Sequence, residues 1–247
     1  MGLFAGNHLE YEAVASSLEA EREEPSFQEM GVMAVDRLQA IPKGFFLMVE
    51  GGRIDHGHHL SNAKRALTKT IEFDRAVKAI VERLTSSERA ETLIVVTAGH
   101  SHTFTIGGNP ILGKVRGVDR EGEPKCQHDT DAVGLPYTTL DYQTGGGFVG
   151  VMVRTNTLEH AYGPKPPFTP WKYAKLPREI RLDLTEVDTS AMNYRQESTV
   201  PITLETHSGE DVSIHAVGPG SHLFRGTREQ NYLCHAIVQA VRLPQRH

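Results

Sequence analysis

The residues best suited to chemistry lie in one run, Val49-Glu50-Gly51-Gly52-Arg53-Ile54-Asp55-His56-Gly57-His58-His59. Of 13 histidines in the chain, five stand at positions 56, 58, 59, 100 and 102. Histidine is the commonest metal ligand and titrates nearest neutrality, so this crowding points to metal or proton chemistry. Asp55 and His59 are four apart, which puts both on one face of a helical turn. A carboxylate beside an imidazole on one face makes half of a divalent-metal site. Glycines in the run let the backbone turn sharply and approach a ligand closely. An isolated D-x-x-x-H is usually a polar surface loop. Acid and imidazole side chains packed between glycines, directly after an apolar run, favour the metal reading instead.

Two distant segments offer complementary donors. Thr97-Ala98-Gly99-His100-Ser101-His102 follows an apolar stretch, where α/β folds place their ligands. If the two apolar stretches are neighbouring strands, His100 lands near Asp55 and His59. Glu205-Thr206-His207-Ser208-Gly209-Glu210-Asp211 is a polar turn whose sole imidazole, His207, is a candidate third ligand. Taken singly, the first segment is as readily an ordinary surface loop, and the second is more often an ordinary polar hairpin.

The elements that must position these groups follow from patterning. Ser26-Phe27-Gln28-Glu29 has the form of a capping box, and Phe27, Met30, Val35 and Leu38 continue it as a helix stopped by Pro42 and Gly44. Phe45 to Glu50 and Thr92 to Ala98 are expected to be strands buried on both faces. Between them Leu60, Ala63, Leu67, Ile71, Val77, Val81 and Leu84 recur at helical spacing. Strand, helix, strand predicts an α/β fold with a mostly parallel sheet flanked by helices. Residues 108–198 are rich in Gly, Pro and charge and are expected to be an irregular insertion between core parts 1–107 and 199–247. The last part holds two expected strands, 200–204 and 212–217, around a Ser208-Gly209 turn, and a closing helix near 228–242.

Bulk properties exclude several classes. The net charge is −5 with no run of Lys or Arg, so no nucleic-acid footprint is present. No window of 18 apolar residues occurs, so no membrane-spanning helix is expected. The segment Met1 to Gly6 lacks the basic and apolar parts of a secretion signal, and the final residues do not form a hydrophobic anchor signal. Cys126 and Cys234 match no zinc-ribbon or CxxC spacing, and their pairing is not fixed by sequence.

The stretch GFFLMVEGGRIDHGHH, with TAGHSH and ETHSGEDV downstream, closely resembles the metal-binding blocks of animal-type alkaline phosphatases. LPYTTLDYQTG and EQNYLCHA extend the resemblance over nearly the whole chain, as the C-terminal half of such a protein. The resemblance implies a partly represented alkaline-phosphatase-like core with a crown-like insertion at 108–198, a homodimer, and a site for two zinc ions and one magnesium. It makes Asp55, His59 and His207 ligands of the first zinc, His100 a ligand of the second, and Glu50 a magnesium ligand. Family members hydrolyse phosphate monoesters through a phosphoserine, the two metals clamping both apical oxygens of an in-line displacement. Family resemblance also implies an extracellular or cell-surface setting. Three departures stand out. Gly99 occupies the place of an aspartate ligand of the second zinc, which weakens that site. The serine nucleophile belongs to the family's N-terminal half, and the chain opens at Gly2-Leu3-Phe4 midway through the family pattern. Ala5 stands where relatives carry one acidic ligand of a separate calcium site, although Glu24 aligns with another. The expectation is therefore either a portion of a phosphate monoester hydrolase or an inactive, zinc-binding, dimerising relative.

Overall fold

The computed structural model describes residues 3–17, 22, 24–107, 136–147, 184 and 186–241. The elements run α1 (Glu12–Ala15), α2 (Phe27–Leu38), α3 (Arg53–His59), α4 (Ala63–Arg83), α5 (Ser86–Glu91), β1 (Ile94–Thr97), β2 (Ser101–His102) and β3 (Phe104–Ile106). β4 (Leu140–Gly145), β5 (Ser198–Pro201), β6 (His207–Ser208), β7 (Ile214–Val217) and α6 (Tyr232–Ala240) follow. The class is α/β, as the strand and helix periods require.

Helix α2 begins at the capping box: the Ser26 side chain accepts from the Glu29 amide, and the Glu29 carboxylate accepts from the Ser26 amide. A capping box of the same kind starts α5 at Thr85 and Glu88. α2 buries Phe27, Gly31 and Val35. A Cβ at Gly31 would stand 2.7 Å from Ile80, so glycine is what lets α2 lie this close on α4. Helix α4 in turn buries Ala66 and Ala76 completely.

The joint between α3 and α4 positions the histidines. α3 ends in a Schellman motif, with the Ser61 amide donating to the His58 carbonyl and the Asn62 amide to the Gly57 carbonyl. That motif demands a left-handed residue, and Ser61 adopts φ 53° to supply it. Asn62 then caps α4, its side chain accepting from the Arg65 amide at 3.0 Å. One tight turn thus closes one helix and opens the next. Gly57 faces α4 so closely that a Cβ would meet the Ala66 amide nitrogen at 2.7 Å.

The strands form small sheets. β1 pairs antiparallel with β7, β2 antiparallel with β6, and β4 sits between antiparallel β3 and parallel β5. Among the described residues, then, most pairings are antiparallel, unlike the mostly parallel sheet expected from sequence. Phe45 to Glu50 is the largest difference: it is irregular chain, with Phe46 72% and Met48 77% exposed. No described strand lies beside it, and without a partner an extended segment has no ladder to join. The expected 200–217 hairpin also divides, β5 going to β4 and β7 to β1. Helices α2, α4 and α6 lie inside the ranges that periodicity and capping predicted. Most of the proposed insertion, including Cys126, lies outside the described residues. Cys234 is exposed on α6.

Ser61 combines a left-handed backbone with a fully buried hydroxyl that has no hydrogen-bond partner among the described residues. Ser61→Gly is expected to stabilise the chain by about 1 kcal/mol, by relieving the backbone strain and the orphaned hydroxyl. Gly57→Ala, which forces a methyl into the α4 backbone, should destabilise it by ~1–3 kcal/mol. Chemical denaturation monitored by circular dichroism reads both; opposite signs would refute this account of the joint.

Candidate metal centre

Helix α3 carries Asp55 and His59 on one face, one turn apart, as their spacing requires. The two-residue ladder between β2 and β6 sets His102 opposite His207. Two backbone bonds extend that register, from the Thr103 amide to the Thr206 carbonyl (3.3 Å) and from the Glu205 amide to the His59 carbonyl (2.9 Å). Three chain segments are thereby tied at one point.

The imidazoles converge on a single oxygen. Asp55 Oδ1 lies 3.3 Å from His59 Nε2, 3.2 Å from His207 Nε2, 3.1 Å from His102 Nε2 and 3.6 Å from His100 Nε2. His59 Nε2 and His207 Nε2 are themselves 3.2 Å apart. Asp55, His59 and His207 thus form a nearly equilateral triangle of donor atoms. Donors bound at 2.0–2.1 Å to one tetrahedral ion stand about 3.3 Å apart, so the triangle has the dimensions of one face of such a site. His100 is stacked on His207, the ring centroids 3.5 Å apart.

The tautomers follow from the second nitrogen of each ring. His59 Nδ1 faces the Glu205 carbonyl at 2.6 Å, and His100 Nδ1 faces the Ser101 carbonyl at 3.1 Å. His102 Nδ1 faces the Glu205 carboxylate at 2.6 Å. These oxygens only accept, so each Nδ1 carries hydrogen, and a ring without a second proton turns an Nε2 lone pair toward Asp55. Lone pairs this close repel unless a cation lies among them. The donor set fits a divalent ion of the imidazole-preferring kind, zinc included.

Glu205 belongs to this cluster in another way. Its 2.6 Å contact to His102 is too short for two ligands of one tetrahedral ion and has the length of a charge-assisted hydrogen bond. Burial pushes the Glu205 carboxyl up, but hydrogen bonds from His102 and Thr103 more than offset this and hold it below the usual range. Asp55 is similarly raised by burial and brought below the usual range by its four imidazole neighbours, His59 foremost. His58 is pushed down to about 4, chiefly by burial and secondly by His102. It packs against His102, with centroids 4.6 Å apart, and its Nδ1 shares a hydrogen bond with the Tyr142 hydroxyl at 2.8 Å. Burial raises the Tyr142 phenol, so it keeps its proton.

The four expected zinc-site side chains Asp55, His59, His100 and His207 are therefore brought together. Glu50 is not among them; it stands exposed just before α3. His102 and Glu205 are the residues that the sequence reading passed over. His102 stands two residues after His100, and both rings reach Asp55 Oδ1, a convergence that only the fold displays. Glu205, two residues before His207, carried no signal of burial. Gly99 sits in open space, with nothing within 4 Å of a Cβ built there.

Comparison with known proteins places this geometry in context. The family model for alkaline phosphatase matches residues 1–243. The tissue-nonspecific alkaline phosphatase of Gallus gallus is 39% identical over 245 residues, covering 97% of this chain and 39% of that protein. The Homo sapiens tissue-nonspecific isozyme is 39% identical over 240 residues, covering 97% and 38%. Alkaline phosphatase 4 of Drosophila melanogaster is 38% identical over 242 residues, covering 97% and 36%. The chain thus spans about two fifths of the length of the curated relatives it matches. Among solved structures, a mutant of TAB5 alkaline phosphatase with bound magnesium aligns with a TM-score of 0.49 at 18% identity, over 89% of this chain and 42% of that one.

Asp55 is the shared partner of every imidazole in the cluster. Asp55→Ala is expected to weaken zinc binding by more than the ~10–100-fold typical of losing a second-sphere group. Glu50→Ala should leave zinc affinity unchanged. Competition against a chromophoric chelator measures both, and equal affinities for Asp55→Ala and the unmodified chain would remove the cluster as a metal site.

Proposed function

The chain belongs to the alkaline phosphatase family, and on that footing we propose that it supplies zinc- and magnesium-binding residues of a phosphate monoester hydrolase. The observation carrying this proposal is the donor triangle of Asp55, His59 and His207, with edges of 3.2–3.3 Å. We assign these residues to a first zinc, His100 to a second, and Glu50 to magnesium.

Bound zinc would polarise a phosphoryl oxygen and offset the charge that develops during displacement. The chain's own residues prepare that event. Nδ1 anchoring fixes His59 and His100 so that neither ring must reorient before binding a cation. The site is open on one side, with the His100 and His207 side chains 38% and 48% exposed, so a phosphate ester has access. On this reading the serine nucleophile lies outside the metal-binding blocks carried here, in a part of the family pattern that this chain does not match.

Gly99 supports a second reading. It offers no side-chain oxygen in the place of the family's aspartate, and the second zinc would keep His100 alone from this strand end. The alternative is a catalytically inactive chain, a fragment or pseudoenzyme, that binds one zinc and dimerises. Dimerisation would use residues 108–198, most of which lie outside the described residues. Either way we place the protein outside the cell or at its surface, in keeping with its family. No described helix is long and apolar enough to cross a membrane.

Hydrolysis of a chromogenic phosphate monoester at alkaline pH, with zinc and magnesium, separates the two readings. Turnover that vanishes in Asp55→Ala supports the hydrolase; zinc binding without turnover supports the inactive alternative. Because the space at Gly99 is open, Gly99→Asp is expected to raise zinc stoichiometry from one to two per chain by isothermal titration. An unchanged stoichiometry would count against the assignment of His100 to a second zinc.

A further inference from the structure

We propose that Glu205 is the positioning residue of the metal centre: its carboxylate sets the ring of His102 and its backbone carbonyl sets the ring of His59. This rests on the metal reading above, and it gives a role to a residue that reading leaves unused. The Glu205 side chain is fully buried, and no Lys or Arg forms an ion pair with it among the described residues. A buried carboxylate without a permanent cation is costly, so such a residue persists where its two acceptor oxygens are needed. Here both are used. Oε1 accepts from the Thr103 amide at 2.6 Å and the Thr103 hydroxyl at 2.8 Å. Oε2 accepts from His102 Nδ1 at 2.6 Å.

The backbone of the same residue holds the other ring. The Glu205 carbonyl accepts from His59 Nδ1 at 2.6 Å, and the Glu205 amide donates to the His59 carbonyl at 2.9 Å. His59 is therefore gripped through both its ring and its main chain. Two positions later the strand delivers His207. One buried residue thus fixes the tautomer of His102, the tautomer of His59 and the register of His207. A carboxylate behind an imidazole in this way orients the ring, and here it aims His102 Nε2 at the ligand oxygen Asp55 Oδ1, 3.1 Å away.

The carboxylate differs from an amide in a testable respect. In Glu205→Gln, with Thr103 still donating to Oε1, the new NH2 faces His102 Nδ1. That nitrogen must then accept, and the ring's hydrogen moves to Nε2, the nitrogen facing Asp55. Glu205→Gln is expected to lower zinc affinity ~10–100-fold by chelator competition, with helix content unchanged by circular dichroism. Adding Glu205→Gln to His102→Ala should cost nothing further, because the carboxylate acts through that ring. Imidazole 15N chemical shifts of the unmodified, zinc-loaded chain supply a test that needs no variant, and both His59 and His102 should carry hydrogen on Nδ1. Unchanged zinc affinity in Glu205→Gln, losses that multiply in the double variant, or hydrogen on His102 Nε2 would each overturn the proposal. If the unmodified chain binds no zinc, the metal reading fails and this one with it; if it binds zinc and Glu205→Gln binds equally, only this one fails.

Discussion

Several imidazole nitrogens facing one carboxylate oxygen at 3.1–3.6 Å set the terms for everything around them. Nitrogen lone pairs and a carboxylate repel one another unless a proton or a metal cation is shared among them. The surroundings are built to resist that repulsion. Each of His59, His100 and His102 is held from behind by an oxygen acceptor at Nδ1. The rings cannot turn away without breaking a hydrogen bond.

The scaffold that holds them is small in extent and demanding in geometry. α3 is only seven residues long and has no side-chain cap at its start. Its order comes from its end, where the Schellman turn at Ser61 passes directly into the Asn62 cap of α4. Gly57 against Ala66 then brings the short helix onto the long one with no intervening side chain. An isolated seven-residue helix would be marginal in water, so it is this docking that keeps Asp55 and His59 on one face. The opposite wall is a ladder of two residue pairs, reinforced by Thr103, Thr206 and Glu205. Closing a loop of roughly a hundred residues for so short a ladder is entropically costly, and the buried Glu205 hydrogen bonds help to offset it.

How legible was this in the sequence? Helices α2 and α4 were, because capping residues and a 3.6-residue period are local signals. The Asp55–His59 pair was legible for the same reason. His207 emerged as the one imidazole in a polar turn, with family resemblance giving it a partner. Phe45 to Glu50 misled, because an apolar run announces only that a segment needs a neighbour, and no described strand supplies one. The pairing directions misled too: hydrophobic alternation says which residues face a core but not which strand lies alongside. The alkaline phosphatase resemblance, carried by GFFLMVEGGRIDHGHH, agrees with the family match over residues 1–243.

The sequence by itself determined the donor types, the helical half-site of Asp55 and His59, and the family to which the chain belongs. These rest on interactions within a few residues or on long specific blocks, and such information is linear. Only the tertiary structure decided that His102 would face Asp55, that Glu205 would be buried behind it, and that His207 would complete a triangle of tetrahedral size. Those outcomes depend on the register of a strand pair about a hundred residues apart in the chain. A slip of one residue would turn each side chain to the other face. Register is a property of the packed whole, and no local pattern in the chain encodes it.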